Sequence, residues 1–429
     1  MSAVRIAIAD FVEAARAFSR PARLYLASEF LLWTGHGIYA VVFNLYLVES
    51  GSSAGFVGQA IAINGIGLAL AAIPAGLLAE RWGRRRTLML GVVLEAIGCA
   101  LRATSIQPEV VLGASLIVGT GQSLFQIAAA PFLTEHSTPR ERTHLFSTFF
   151  AAALLAGVVG SVGGGAIPDL LHALAPSLGL FTSYRAALWV GTLFAIAALV
   201  PLLRLKGLHE SVTRVHAIRL PREAVRSLAP LAFNALLVGM GAGLVIPFMN
   251  LYFKDRFDCS SARIGGIFAV AQIVTALASL AGPALARRFG MLRTATASQL
   301  LSLPFLVTLG AESHLSLAMV AFWMRATLMQ ASTPLIQTFV MEALPAELRA
   351  RSTSLNNLVW NIGWAVSATL AGTIIERFGY AVPFYFTAVL YLVAALTFYR
   401  AFRGRPEASV GVRLSEEAKG LRGEGPHTE

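Results

Sequence analysis

The sequence predicts an all-α integral membrane protein, with twelve transmembrane helices in two pseudo-symmetric six-helix bundles. Three observations predict it: a lipid-like composition, a one-sided distribution of basic charge, and an internal repeat. Of 429 residues, 56% are apolar and 13% charged, against about 25% charged in soluble domains. Apolar stretches recur near 23–48, 54–80, 87–105, 110–134, 144–168, 185–204, 229–253, 263–286, 292–311, 315–341, 352–375 and 380–400. Each is close to the ~20 residues that cross the hydrocarbon core as a helix. Because lipid offers no hydrogen-bond partner to a bare backbone, stretches of this length are predicted to be helical.

The formal net charge of +11 raises the question of nucleic acid, which its distribution answers. With both termini on one side, 27 of the 34 basic residues fall on that side, five on the other, and Arg102 and Arg325 within spans. This is the positive-inside bias of a cytoplasmic face, so the basic excess is read as a topological signal without nucleic-acid binding. The chain uses 31 Arg and 3 Lys, as GC-rich bacterial genomes do, which gives a bacterial cytoplasmic (inner) membrane with both termini cytoplasmic. Cys99 and Cys259 form no CxxC pair or Cys/His cluster, so neither a disulfide framework nor a metal site is indicated.

Two halves of the chain repeat each other. Asn44-Leu45-Tyr46 recurs as Asn250-Leu251-Tyr252, LAERWGRRRT from Leu78 as LARRFGMLRT from Leu285, TEHSTPRER from Thr134 beside MEALPAELR from Met341, and GGAIPD ending at Asp169 beside AGTIIE ending at Glu376. The offset stays at 206 to 207 residues, the mark of parallel repeats. The reading is a cytoplasmic N-terminal segment over 1–22, bundles over 23–204 and 229–403 joined by a charged linker over 205–228, and a polar disordered tail over 404–429. In the N-terminal segment Ile8, Phe11, Val12, Ala15 and Phe18 fall on one face, suited to lie along a membrane surface.

The stretch Gly76-Leu77-Leu78-Ala79-Glu80-Arg81-Trp82-Gly83-Arg84-Arg85-Arg86 resembles the G-x-L-A-D-R-x-G-R-R signature between helices 2 and 3 of the major facilitator superfamily, with glutamate in place of the usual aspartate. The resemblance implies that Gly76, Glu80, Arg81, Gly83, Arg84 and Arg85 form a gate element, in which the acid bridges toward the eleventh helix and holds the inner side shut in one state. Physically, the two glycines suit close helix approach and a tight turn, and Glu80 is in reach of Arg84 and Arg85; the arginines serve topology on the alternative reading. Ala156, Gly160, Ser161, Gly164 and Gly165 resemble the helix-5 motif of antiporters in this superfamily, and small residues there suit close packing in any case. The arginine that drug/proton antiporters carry before the glycine-rich part of helix 4 is absent from residues 114–126.

Ionisable groups inside spans cost roughly 2.5–3.5 kcal/mol or more and are functional candidates by default. Arg325 lies mid-span, in a helix that lines the cavity in this superfamily. It binds an anionic group of the substrate, neutralises a titrating carboxylate, or is structural. Glu29 and His36 share a face of the first span, and an imidazole suits proton coupling. Glu95 and Arg102 share a face of the third span, which the resemblance places at the periphery. Gln122, Gln126, Asn250, Gln330 and Trp360 complete the candidate substrate and coupling set, with Asn44, Asn234, Asn357, Asn361, Trp33, Tyr39, Trp323 and Trp364 as further polar and aromatic candidates.

The pentapeptide GSSAG at 51–55 fits a nucleophile elbow only in a strand-turn-helix setting, which an outer loop between spans does not supply. No phosphate-binding GxxxxGK[ST] occurs, and no nucleophile, base or metal set clusters, so the chain is not read as an enzyme and no cofactor is called for. The expectation is a monomeric secondary active transporter that moves a small organic solute across the bilayer by alternating access, as proton-coupled efflux. Proton-coupled or facilitated uptake is the alternative, and a non-transporting receptor or scaffold the more distant one.

Overall fold

A computed structural model describes residues 18–205, 222–343 and 346–403. The amphipathic face at 8–15, residues 206–221 of the charged linker, and the tail from 404 lie outside the described residues. Twelve long helices follow one another: α1 (Arg20–Glu49), α2 (Ala54–Arg81), α3 (Arg84–Thr104), α4 (Pro108–Glu135), α5 (Pro139–Leu174), α6 (Gly179–Ala197, continued by Leu199–Leu203), α7 (Arg222–Val245, continued by Met249–Phe257), α8 (Ser261–Phe289), α9 (Met291–Ala311), α10 (Leu315–Ala343), α11 (Ala346–Phe378) and α12 (Ala381–Phe402). Eleven are long and apolar enough to cross a membrane. The twelfth, α10, matches them with 29 residues and carries Arg325 and Gln330 within its length.

The helices outrun the apolar stretches because their ends are capped beyond the hydrocarbon. At α5, the Thr138 N–H donates to Glu141 Oε1 at 2.8 Å, starting the helix five residues before its apolar stretch. At α1, Ser19 caps the first turn and its hydroxyl donates to the His136 carbonyl at the end of α4. That cap turns Phe18 back onto the protein, where it is buried among Ala22, Tyr25 and Leu133 instead of facing lipid as its sequence pattern suggested. Likewise α7 starts at Arg222, inside the stretch read as linker, because its first turn is polar.

Packing follows the repeat. In the first bundle α3 and α2 lie on α4, and α1 on α5 and α6; in the second, α9 and α8 lie on α10, and α7 on α11 and α12. The bundles meet along two seams, α2 against α11 and α5 against α8. Gly83 and Gly290, 207 positions apart, turn the chain into α3 and α9 at φ of 93° and 87°, where a side chain would be strained. One break in the symmetry occurs at Pro247. It interrupts α7 with a 3-10 turn over Ile246–Phe248, while α1 runs through unbroken.

Candidate functional site

The bundles are joined by hydrogen bonds between mid-helix and the rim that carries the 50–53 loop. At that rim the carboxylate of Glu376, ending α11, accepts the Gly55 N–H of α2 at 2.6 Å. The carboxylate of Asp169, near the end of α5, accepts the Ala262 N–H of α8 at 2.9 Å. Both N–H groups belong to first turns with no intrahelical acceptor, begun by Ser53 and Ser260 as N-caps. Acids, caps and receiving N–H groups are each 207 positions apart, so one clasp is built twice. The GSSAG pentapeptide is thus a helix start and part of a clasp.

Deeper in the interface, Asn44 Nδ2 donates to Asn250 Oδ1 at 3.1 Å and to the Pro247 carbonyl at 2.6 Å. Asn250 Nδ2 donates to the Val41 carbonyl at 2.9 Å. Asn250, a candidate for the substrate pathway, is fully engaged in tying α7 to α1. Ser161 accepts from Gln272 at 3.1 Å across the α5–α8 seam. The small residues around it serve two packings. A Cβ on Gly160 would lie 2.2 Å from the Thr34 carbonyl of α1, and one on Gly165 2.3 Å from the Ser261 carbonyl of α8. Close helix approach is therefore what the antiporter-like stretch provides here.

At the opposite rim no clasp of this kind is found among the described residues. Glu80, half-buried, pairs with none of the described residues, and a Cβ on Gly76 would meet nothing within 4 Å. The expected pairing of Glu80 with Arg84 or Arg85 does not form. Arg84 instead forms an ion pair with Glu135 and donates to the Pro131 carbonyl at 2.8 Å, while Arg85 reaches the Leu202 carbonyl at the end of α6. Those acceptors lie at the unsatisfied ends of α4 and α6, which attract cations. Arg81 is exposed, and Gly83 supplies the turn. Glu135, which sequence reasoning passed over, was visible only as part of the repeated TEHSTPRER stretch.

Inside the first bundle the structure separates Glu29 from His36. Glu29 accepts from Tyr25 Oη at 2.9 Å and Trp33 Nε1 at 2.6 Å, so both carboxylate oxygens are met by donors on α1. His36 Nε2 contacts Glu95 Oε1 of α3 and lies 3.3 Å from Gln122 Nε2 of α4. Gln122 Oε1 accepts from Asn64 Nδ2 of α2 at 3.1 Å, and Asn64 Oδ1 accepts from Arg102 Nη2 at 2.9 Å. Arg102 also donates to Ser115 Oγ at 3.2 Å and lies over the Phe43 ring. Glu95 and Arg102, read as peripheral, therefore close a polar ring through α1, α2, α3 and α4.

The second bundle holds its charge differently. Arg325 is 3% exposed, donates to Tyr391 Oη at 3.0 Å and leaves Nε without a partner. No carboxylate pairs with it among the described residues. Gln126 and Gln330 are exposed on α4 and α10, and Trp360 stacks on Trp364 at 5.1 Å. Tyr39 bridges to the Cys99 carbonyl, Trp323 to that of Ile267 and Asn234 to that of Ala394, which makes these three helix ties. Among the described residues no group of three His, Cys, Asp or Glu side chains is placed to hold a metal ion.

Comparison with known proteins accounts for the doubled architecture. The family profile described as Major Facilitator Superfamily matches residues 25–230 and again 231–425. A multidrug resistance protein of Proteus mirabilis is 24% identical over 87% of this chain and 94% of its own length. An MFS-type efflux transporter of Pyricularia grisea is 25% identical over 69% of this chain, and the match spans 59% of that longer protein. In fold, the chain is similar to the nucleoside transporter NupG (TM-score 0.72, 14% identity, 90% of this chain and 100% of that one). It is similar also to a bacterial homologue of the human lysosomal transporter Spinster in an inward-facing and occupied conformation (TM-score 0.72, 17% identity, 89% and 96%). Two sixfold helical halves, a glycine-turned arginine motif between α2 and α3, and a profile matched once by each half lead to one conclusion: the chain is an integral membrane protein belonging to the major facilitator superfamily.

Proposed function

We propose that the protein is a proton-coupled exporter of a small organic solute, working by alternating access. The observation that carries this reading is the one-sided interface. The bundles are tied by duplicated clasps at one rim with no matching clasp among the described residues at the other, a geometry that suits two bodies rocking about a shared seam. Taking the arginine-rich rim as cytoplasmic, the described state is inward-facing. Solute then enters between the bundles from the inside, and breaking the Asp169 and Glu376 clasps releases it outside. The printed names of the relatives, a multidrug resistance protein and an efflux transporter, support export over uptake.

Arg325 is the group we assign to the solute: a buried cation with an unmet donor and no internal acid stabilises a ligand that brings an acceptor. His36 and Gln122 serve coupling in the opposite bundle, with Glu29 held beside them. Gln126, Gln330 and Trp360 line the route. A ligand-stabilisation screen on the purified protein, followed by proteoliposome flux of the hits with an imposed pH gradient, tests the reading. Export from the arginine-rich side driven by an opposing proton gradient is expected. Flux indifferent to that gradient, or running only inward, overturns it.

A further inference from the structure

We infer that Arg325 holds a small monovalent inorganic anion, of halide size, whenever solute is absent. This rests on the recognition role given to Arg325 above and names what fills its place between cycles. A guanidinium keeps its charge at any pH the protein meets and offers donors only. Left buried and unpaired, such a charge is among the most costly arrangements a fold can contain. Arg325 is 3% exposed and spends one N–H on Tyr391 Oη, a neutral oxygen. Its Nε is buried without a partner.

The acids that could neutralise it stand elsewhere. In the second bundle those with described side chains are Asp255, Asp258, Glu312 and Glu376, all at the rim of the 50–53 loop. Arg325 lies ten residues beyond Leu315 at the start of α10, so roughly 15 Å of helix rise separates it from that rim. Each acid also has its own donor. Asp255 accepts from Tyr380 Oη at 2.6 Å, Asp258 from Lys254 Nζ at 2.9 Å, Glu312 from the His314 N–H at 2.6 Å and Glu376 from the Gly55 N–H at 2.6 Å.

The neighbours of Arg325 at this level are polar and equally buried. Tyr391 lies ten residues beyond the start of α12 and Gln299 twelve before the end of α9, so phenol, amide and guanidinium fall within about one helical turn in depth. Helix α9 packs on both α10 and α12. Tyr391 and Gln299 are 2% and 3% exposed. Tyr391 accepts from Arg325, so its own hydrogen remains to be given. Gln299 ends in a buried oxygen without a partner, and its amide turned over presents N–H in that place. On the α7 side Gly241 brings bare backbone against the phenol, where a Cβ would lie 2.5 Å from the Tyr391 ring.

Unspent donors around a fixed positive charge are the coordination shell of an anion. A water can take one of these N–H groups but brings no charge to offset the guanidinium, and a cation or apolar molecule leaves the donors unmet. The burial of all three side chains limits the occupant to a single small ion. Solute then arrives with an anionic group that displaces the halide, so recognition is an exchange of anions at one cation.

Thermal unfolding of the purified, solute-free protein, followed as chloride replaces gluconate at constant ionic strength, tests the site while charge screening stays fixed. The midpoint is expected to rise by about 2–4 °C along a saturating curve, with bromide and nitrate acting like chloride. In Arg325→Met the rise disappears. Tyr391→Phe, which keeps the ring and removes the hydroxyl, needs about fivefold more chloride for half the rise, and it serves alone if Arg325→Met does not fold. A wild-type midpoint indifferent to chloride overturns the inference, as does a rise that either variant retains at unchanged half-saturation. Solutes found by the ligand screen are expected to bind more weakly as chloride increases. Chloride that stabilises through Arg325 without competing leaves the anion site standing and removes Arg325 from solute recognition, so the two readings fail separately.

Discussion

The two bundles share a fold and a repeat, yet they treat buried charge in opposite ways. In the first, Glu95, His36 and Arg102 are joined through Gln122 and Asn64 into a ring across four helices, with Glu29 satisfied beside it. In the second, the described membrane interior holds Arg325 alone, bonded to one tyrosine. A network that contains both an acid and a guanidinium can balance its charge without a ligand. A lone guanidinium is an unbalanced charge, and an anionic or acceptor-rich ligand relieves it. On the function proposed above, the difference assigns coupling to one half and recognition to the other.

The largest expected effect breaks the recognition half. Arg325→Ala reduces proteoliposome flux of a screened ligand to background while the protein inserts and folds, and flux at wild-type rate would remove Arg325 from the site. Next comes a stability contrast by thermal unfolding of the solute-free protein. Arg102→Met strands Asn64 and Glu95 and costs about 3 kcal/mol, the size seen on breaking a buried charged network. Arg325→Met removes an uncompensated charge and leaves stability within about 1 kcal/mol of wild type. Equal losses in the two variants would erase the distinction between the bundles.

The clasps provide a smaller and symmetric test. Asp169→Asn and Glu376→Gln are each expected to raise the open-rim population about two- to fivefold, as loss of a charged cap at a helix N-terminus does. Spin-label distances between Gln107→Cys and Ser313→Cys, one per bundle, report it. Inequality between them would show that Pro247 makes the halves mechanically unequal. The smallest effect falls on Glu80→Gln, which slows turnover about two- to threefold with no change in the ranking of solutes. A changed ranking would move Glu80 from gate to site.

Much of the fold was legible because lipid permits so little else. Spans, repeat and the turn at Gly83 follow from hydropathy, self-similarity and glycine conformation, all local properties of the chain. Pairings were not. Spacing put Glu29 and His36 on one face and Glu80 beside Arg84, but the partners chosen by the fold come from elsewhere: Tyr25 and Trp33 for Glu29, Glu95 for His36, Glu135 for Arg84. Seven-residue spacing did align Glu95 with Arg102, and what it lacked was the knowledge that Gln122 and Asn64 would bridge them. That no described acid stands beside Arg325 was likewise beyond reach, since a missing partner is seen only once its neighbours are in place.

Pro247 divides α7 into two mechanical parts. A continuous rod transmits bending along its whole length, whereas α7 has a joint at Ile246–Phe248, and the side chain of Asn44 reaches across to hold the Pro247 carbonyl. Beyond the joint the short Met249–Phe257 segment is held by the second bundle, where Tyr252 Oη donates to the Leu309 carbonyl at 2.8 Å and Tyr380 Oη donates to Asp255 at 2.6 Å. The molecule thus owns one knuckle in place of two matched ones, a departure from twofold form at the one seam where the asparagines of both halves meet.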